Sequence, residues 1–253
     1  RTEAGFLLWY HALNAKETHG EMFENGAVGS SIAVLDIENL RASGVSDTER
    51  TIAASLLRLL VEEEEYRDKF LSAKSTTGSG FEVLSDALGN LAVGQERVAG
   101  VLRVLAESPR CRSRIINNFS PLNWRHFLGV LEDPLNRNEA SKVQTAFFLR
   151  YLVMGRDDLK AEVAAACGAR ALLQMLRASK TESAINAAAG CLMRMAEEDS
   201  FLQSVAEQDG IKPLADVIAP PPHFFVLTAI AEQKRRAEEE ENRRVGLERR
   251  AEE

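Results

Sequence analysis

The chain has 253 residues, of which 45% are hydrophobic and 27% charged, enough for one elongated core or two compact ones. Its formal net charge of −7 argues against nucleic acid as a partner, because displacing counterions from phosphates takes a basic stripe. The longest apolar runs, Phe6–Tyr10 and Phe224–Ile230, fall far short of the roughly 20 residues of a membrane-spanning helix, so no span is expected.

In chain order, GFLLWYHAL (5–13) and EMFENGAVGSSIAVL (21–35) make a loose first copy of a recurring pattern. ENLRASGVSDTER (38–50) is polar and predicts a loop. Ala53, Leu56, Leu60, Tyr66 and Phe70 carry the second copy, with Glu62–Glu65 as an acidic turn. KSTTGSG (74–80) interrupts as a loop, and a helix resumes at FEVLSDAL (81–88). Val98, Val101, Leu105, Cys111, Ile115, Trp124 and Leu128 carry the third copy, and EDPLNRNEAS (132–141) predicts another loop. The fourth holds Ala146, Leu149, Val153, Leu159, Val163, Leu172 and Leu176. Shifts of 93 and 48 bring the second and third copies onto it, and a shift of 42 brings it onto the fifth at Ala188, Cys191, Met195, Phe201, Val205, Leu214 and Ile218.

Within each copy apolar residues recur every 3, 4 or 7 positions, a helical period, and no stretch alternates as a strand does. Each unit reads as a medium helix, a tight break, a short helix, a Gly or polar corner, and a final helix. Asp157-Asp158 is expected to cap and turn between helices. Gly168 and Gly210, 42 residues apart, are expected at the corners in the left-handed conformation that glycine adopts without a Cβ penalty. The predicted fold is all-α, a right-handed α-solenoid of about five repeats over 1–219. A Pro-led segment and a charged C-terminal helix, 220–253, follow. In that tail HFFVLTAIAEQ offers an apolar stripe, and KRRAEEEENRRVGLERRAEE has acidic and basic blocks near i,i+4 register, a solvated helix or a docking helix.

These units resemble the armadillo-repeat family over nearly all of 1–219. INAAAGCLMRMAEEDSFLQSVAEQDGIKPLADVI (185–218) is the best copy, with Pro213 in the first turn of its last helix, where a missing N–H costs nothing. The resemblance implies stacked repeats that bind partner proteins. The nuclear-import members carry Trp and Asn at regular groove positions; ARALLQMLRA (169–178) has neither, and Trp124 has no Asn four residues on, so import is not implied. SKVQTAFFLRYL (141–152) followed by VMGRDDLKAEVAAACG (153–168) looks like a repeat of the armadillo-type nucleotide-exchange factors of heat-shock-seventy chaperones, over about 90–220. That likeness implies contacts at Lys142, Arg150, Arg156 and Lys160, each equally readable as an ordinary helix charge.

No residue pattern points to catalysis. There is no phosphate-binding Gly-rich loop, no His-Glu-x-x-His and no Gly-x-Ser-x-Gly, and the four histidines are scattered. The expectation is a non-enzyme with no cofactor and no metal. Cys111, Cys167 and Cys191 read as small buried thiols, and Trp124 as a core residue. What remains is a scaffold or accessory subunit binding other proteins, or a co-chaperone of a heat-shock-seventy chaperone. Phe224-Phe225 or Trp9-Tyr10 would serve as apolar anchors. The expected location is intracellular, the cytoplasm first, with an organelle left open because any segment before Arg1 is unseen.

Overall fold

Ser46 shows how a helix starts inside a segment that reads as loop. Its hydroxyl accepts from the Glu49 N–H at 3.2 Å, while the Glu49 carboxylate accepts from the Ser46 N–H at 2.8 Å. This reciprocal cap satisfies two backbone donors and begins a helix at Asp47, so the loop expected over 38–50 ends four residues early. Asn138 likewise caps a helix from Glu139, shortening the loop expected over 132–141. In the computed structural model, residues 2–36, 44–73, 78–91, 93–133 and 138–218 are described; the charged C-terminal helix and the Phe224-Phe225 pair lie outside them.

The described residues form fifteen α-helices, α1 to α15 in chain order, and no β-strand. They fall into two compact units, Arg1–Gly210 and Ile211–Glu253; the second contributes one described helix, α15 (Ile211–Ile218). Within the first unit the helices take three roles in strict rotation. The long ones are α1 (Thr2–Asn14), α4 (Asp47–Leu60), α7 (Gln95–Glu107), α10 (Glu139–Leu152) and α13 (Glu182–Met195), each packed on the next. A second row consists of α3 (Ala27–Leu35), α6 (Gly80–Asn90), α9 (Pro121–Glu132) and α12 (Gly168–Ala178), also packed in succession. Short helices α2 (His19–Glu24), α5 (Glu64–Ser72), α8 (Pro109–Asn117), α11 (Asp157–Ala165) and α14 (Asp199–Glu207) link the two rows. The architecture is an all-α solenoid. No described helix is long and apolar enough to cross a membrane.

The register differs in detail from that read in the sequence. Spacings of 48 (109 to 157) and 42 (157 to 199) hold for the short helices. The caps of the long helices, Gly94, Asn138 and Thr181, are instead 44 and 43 apart. A helix repeats its face about every 3.6 residues, so a slip of one turn still sets apolar on apolar. The single-residue slip is taken up by the four-residue linker Val153–Arg156, where Gly155 has φ 71°; the matching linker after α13 has three residues.

The corners also work differently from the expectation. The left-handed residues are Cys167 (φ 64°) and Asp209 (φ 53°), one position before the glycines. Gly168 and Gly210 are needed for room. A Cβ on Gly168 would stand 2.8 Å from the carbonyl oxygen of Val163, and one on Gly210 2.7 Å from that of Val205. Cys167 is exposed, contrary to its reading as a buried thiol, because the corner turns its side chain outward; Cys111 and Cys191 are buried as expected. Asp157 and Asp158 are not caps but the first two helical residues of α11, where their charge faces the positive helix end.

The core is aliphatic with one aromatic chain through its middle: Phe119 to Trp124 at 4.4 Å between centroids, Phe119 to Phe127 at 5.8 Å, Phe127 to Phe148 at 4.7 Å. Trp124 is buried, and its indole N–H donates to Glu162 of α11 at 3.0 Å. Cations stitch successive repeats: Arg114 donates to the Asp68 carbonyl at 2.9 Å, Arg112 to the Tyr151 carbonyl at 3.0 Å, and Arg170 to Glu132 at 2.8 Å.

Candidate protein-interaction surface

The four cations suggested by the exchange-factor likeness meet different fates. Lys142 is 7% exposed, and its ammonium donates to the Asp133 carbonyl at 2.9 Å, closing the C-terminal end of α9. Burial lowers its pKa, against the pull of Asp133 and Glu139. Lys160 is 2% exposed and donates to Glu197 at 2.6 Å and Asp157 at 2.9 Å, tying α11 to the start of α14. Those two carboxylates, Glu197 first, raise its pKa. Arg150 is half-buried, its guanidinium lying 3.0 Å from where a Cβ on Gly190 would be. Arg156 is half-exposed and forks onto Asp158 at 2.8 and 2.5 Å, which holds the Asp158 carboxyl down at about 2. The structure therefore does not gather the four into one cationic patch. Phe224 and Phe225 lie outside the described residues.

One polar cluster pairs residue types used in nucleophilic catalysis. Ser85 Oγ lies 3.4 Å from His126 Nδ1, and Asp86 lies 3.6 Å from the same nitrogen. A base needs one ring nitrogen for the nucleophile and the other for the orienting carboxylate. Here both oxygens crowd Nδ1, and Ser85 is fully buried and accepts from the Asn123 amide at 2.7 Å. The cluster has the geometry of a clasp between α6 and α9. Among the described residues, no group of three or more His, Cys, Asp or Glu side chains could hold a metal ion.

Two surface features stand out in the first repeat. Helix α1 exposes Phe6, Leu7, Leu8, Tyr10 and Leu13, each between 47% and 65%, while Ala12 alone is buried and Trp9 is half-buried. Beside it a cavity of 610 Å³ opens between α1, α3 and α4, lined by Leu8, Ser30, Ser31, Val34, Ile52 and Leu56 among others. Ser31 occupies the position of Leu84, Phe127 and Leu172 in the later second-row helices, so the cavity lies where those repeats place apolar carbon. Farther round, Glu63, Glu64 and Glu65 gather beside Tyr66, whose phenol is raised by its hydrogen bond to Glu65, by burial and by the neighbouring carboxylates. Sequence reading flagged Trp9-Tyr10 but missed the cavity; Ser31, where later copies carry leucine or phenylalanine, was the available signal.

Neither a protein-family model nor a curated protein matches the chain. Solved structures do. Two engineered proteins are similar, one at 16% identity with TM-score 0.67, covering 85% of this chain and 83% of that one, the other at 18% with TM-score 0.66, covering 88% and 84%. A designed armadillo repeat protein is similar at 15% identity with TM-score 0.65, covering 87% and 86%. The three-helix rotation and these likenesses agree that the chain has the armadillo-like helical-repeat fold.

Proposed function

We propose that this chain is a non-catalytic protein-interaction scaffold or accessory subunit that binds other proteins through its helical-repeat surface. The observation that carries this reading is the row of large apolar side chains on α1. Contiguous exposed apolar surface of this kind marks interaction sites, whereas scattered single residues do not. The fold supports it, since stacked repeats present long surfaces to partners. Polar groups that could have served chemistry, Ser85 and His126 among them, are engaged in holding repeats together. The exchange-factor alternative keeps Arg150 and Arg156 as accessible contacts, while Lys142 and Lys160 are engaged inside the chain.

The test is affinity capture from cell extract at physiological salt with mass spectrometry. A fixed, salt-resistant set of subunits is the expected result. A heat-shock-seventy chaperone that leaves on addition of ATP would replace the scaffold with the exchange factor, and recovery of no protein above a bead control would sink both.

A further inference from the structure

The short helices of the unit Arg1–Gly210 are tied to the next repeat by cations. Arg110 and Arg114 of α8 reach Asp68 of α5 at 2.7 and 3.3 Å, Arg112 of α8 reaches the Tyr151 carbonyl, and Lys160 of α11 reaches Glu197 at 2.6 Å. At the first step, from α2 to α5, the cation sits elsewhere. Lys69 lies over the rings of Phe23 and Tyr66, 4.9 and 5.4 Å from their centres, and among the described residues no ion pair engages Glu17, Glu63, Glu64 or Glu65. These four carboxylates border a cleft of 620 Å³ between the turn Lys16–Thr18, α2 and the start of α5, where Lys16 offsets only one of the four charges. The cleft lies between the first and second repeats, so both of its walls are present.

His19 lines the same cleft and is 3% exposed. Its Nε2 lies 2.8 Å from the Ala12 carbonyl, which can only accept, so the neutral ring holds its proton there and keeps a lone pair on Nδ1. That nitrogen is buried and has no hydrogen-bond partner among the described residues. A buried acceptor left alone calls for an explanation. The group that would satisfy it is a donor, and the surrounding carboxylates favour a positively charged one.

We propose that this cleft takes an arginine side chain from a basic segment of a partner protein, its guanidinium donating to His19 Nδ1 and to the carboxylates of the rim. The proposal rests on the binding-protein reading above and states the partner's chemistry. A guanidinium carries five donors in one plane, enough to serve a ring nitrogen and a carboxylate together. A metal ion fits less well, because among the described residues no three His, Cys, Asp or Glu side chains converge to hold one. The walls are held in place before anything enters. Tyr66 stacks on Phe23 at 4.8 Å, and Gly20 leaves room for the Tyr66 hydroxyl, which would stand 3.1 Å from a Cβ there.

The probe is acetylated, amidated triarginine, titrated into the full chain at physiological salt and followed by the ring 15N resonances of its histidines. In the free chain His19 Nδ1 should resonate as an unprotonated nitrogen, and it should move saturably upfield as the peptide binds. Tricitrulline, similar in shape but uncharged, should leave it in place. Glu63→Gln with Glu64→Gln should weaken binding about tenfold or more. Glu96→Gln with Glu182→Gln, the same charge change outside the cleft lining, should alter it by less than about twofold. A protonated Nδ1 in the free chain, no saturable shift, or equal weakening by the two pairs would each overturn the proposal. A saturable shift with zinc that triarginine cannot displace would put a metal in the cleft and overturn it too. So would charge reversal of Lys234, Arg235 and Arg236 to Glu that tightens triarginine binding, since the chain's own tail would then be the occupant. Partners captured from extract equally by the natural chain and by the Glu63→Gln, Glu64→Gln variant would sink the cleft but spare the binding-protein reading. Capture of nothing by either would sink that reading itself.

Discussion

The long helices α4, α7 and α10 each lie between two others of their row, while α1 meets only α4 among the described residues. The consequence is visible in the leucines of these helices. Leu57, Leu102 and Leu149 have no exposed surface, whereas Leu7 and Leu8 keep 65% and 47%. Composition does not separate the two regions, since α1 is as apolar as the helices that are covered. What separates them is their neighbours among the described residues: the later repeats have neighbours covering their apolar faces on both sides, and the first described repeat on one. The same contrast runs through the second row, where Ser31 stands against a cavity and its counterpart Phe127 is fully buried against Phe148.

That contrast can be broken most forcefully in the middle. Phe127→Ala should cost about 3–5 kcal/mol in urea unfolding, the range for removing a buried aromatic ring, while Leu7→Lys should stay within about 0.5 kcal/mol. Equal effects would mean that the middle is no better packed than the end. Next come the corners. Gly168→Ala should destabilise by about 1–3 kcal/mol through collision with the Val163 carbonyl, whereas Cys167→Gly should stabilise by up to about 1 kcal/mol by relieving the left-handed residue. The reverse order of those melting temperatures would restore glycine to the left-handed position.

Lys160→Met should cost about 1–3 kcal/mol, since two charged hydrogen bonds are lost but Glu197 and Asp157 remain partly exposed and can be hydrated. Because the folded-state pKa of Lys160 is raised, its contribution is complete below the ordinary lysine pKa and fades as pH climbs through the higher folded value. The gap between natural chain and variant should therefore close only in strong alkali. Ser31→Leu sharpens the contrast from the other side: by filling part of the cavity as Leu84 and Leu172 do, it should raise stability by about 0.5–2 kcal/mol. A loss instead would show that the first repeat cannot accept the packing of its neighbours.

The smallest effect belongs to Asp158. Its depressed pKa of about 2 makes its contribution present above the ordinary aspartate range and lost as pH falls toward that value. The side chain is 55% exposed and screened, so Asp158→Asn should cost no more than about 0.5 kcal/mol at neutral pH. At pH 2 most of that difference should be gone in thermal melts.

Several features were legible in the residues and one was legible yet overlooked. Apolar spacing announced helices in groups of three, because only one face of each can be buried. Ser46-Asp47-Thr48-Glu49 spells a reciprocal cap, although its polarity resembles a loop. Lys142 and Lys160 could not be ranked by sequence, since a lysine on a helix shows its charge but not whether a carbonyl or carboxylate from another helix waits for it. The alternation of long and short helices, the corner at each repeat and the absence of a recognisable catalytic motif were all set by local chemistry and periodicity. Exact register, the glycine's role as space rather than flexibility, and the cavity between α1, α3 and α4 were decided by tertiary packing, because each depends on which atoms of a distant helix arrive at the same place.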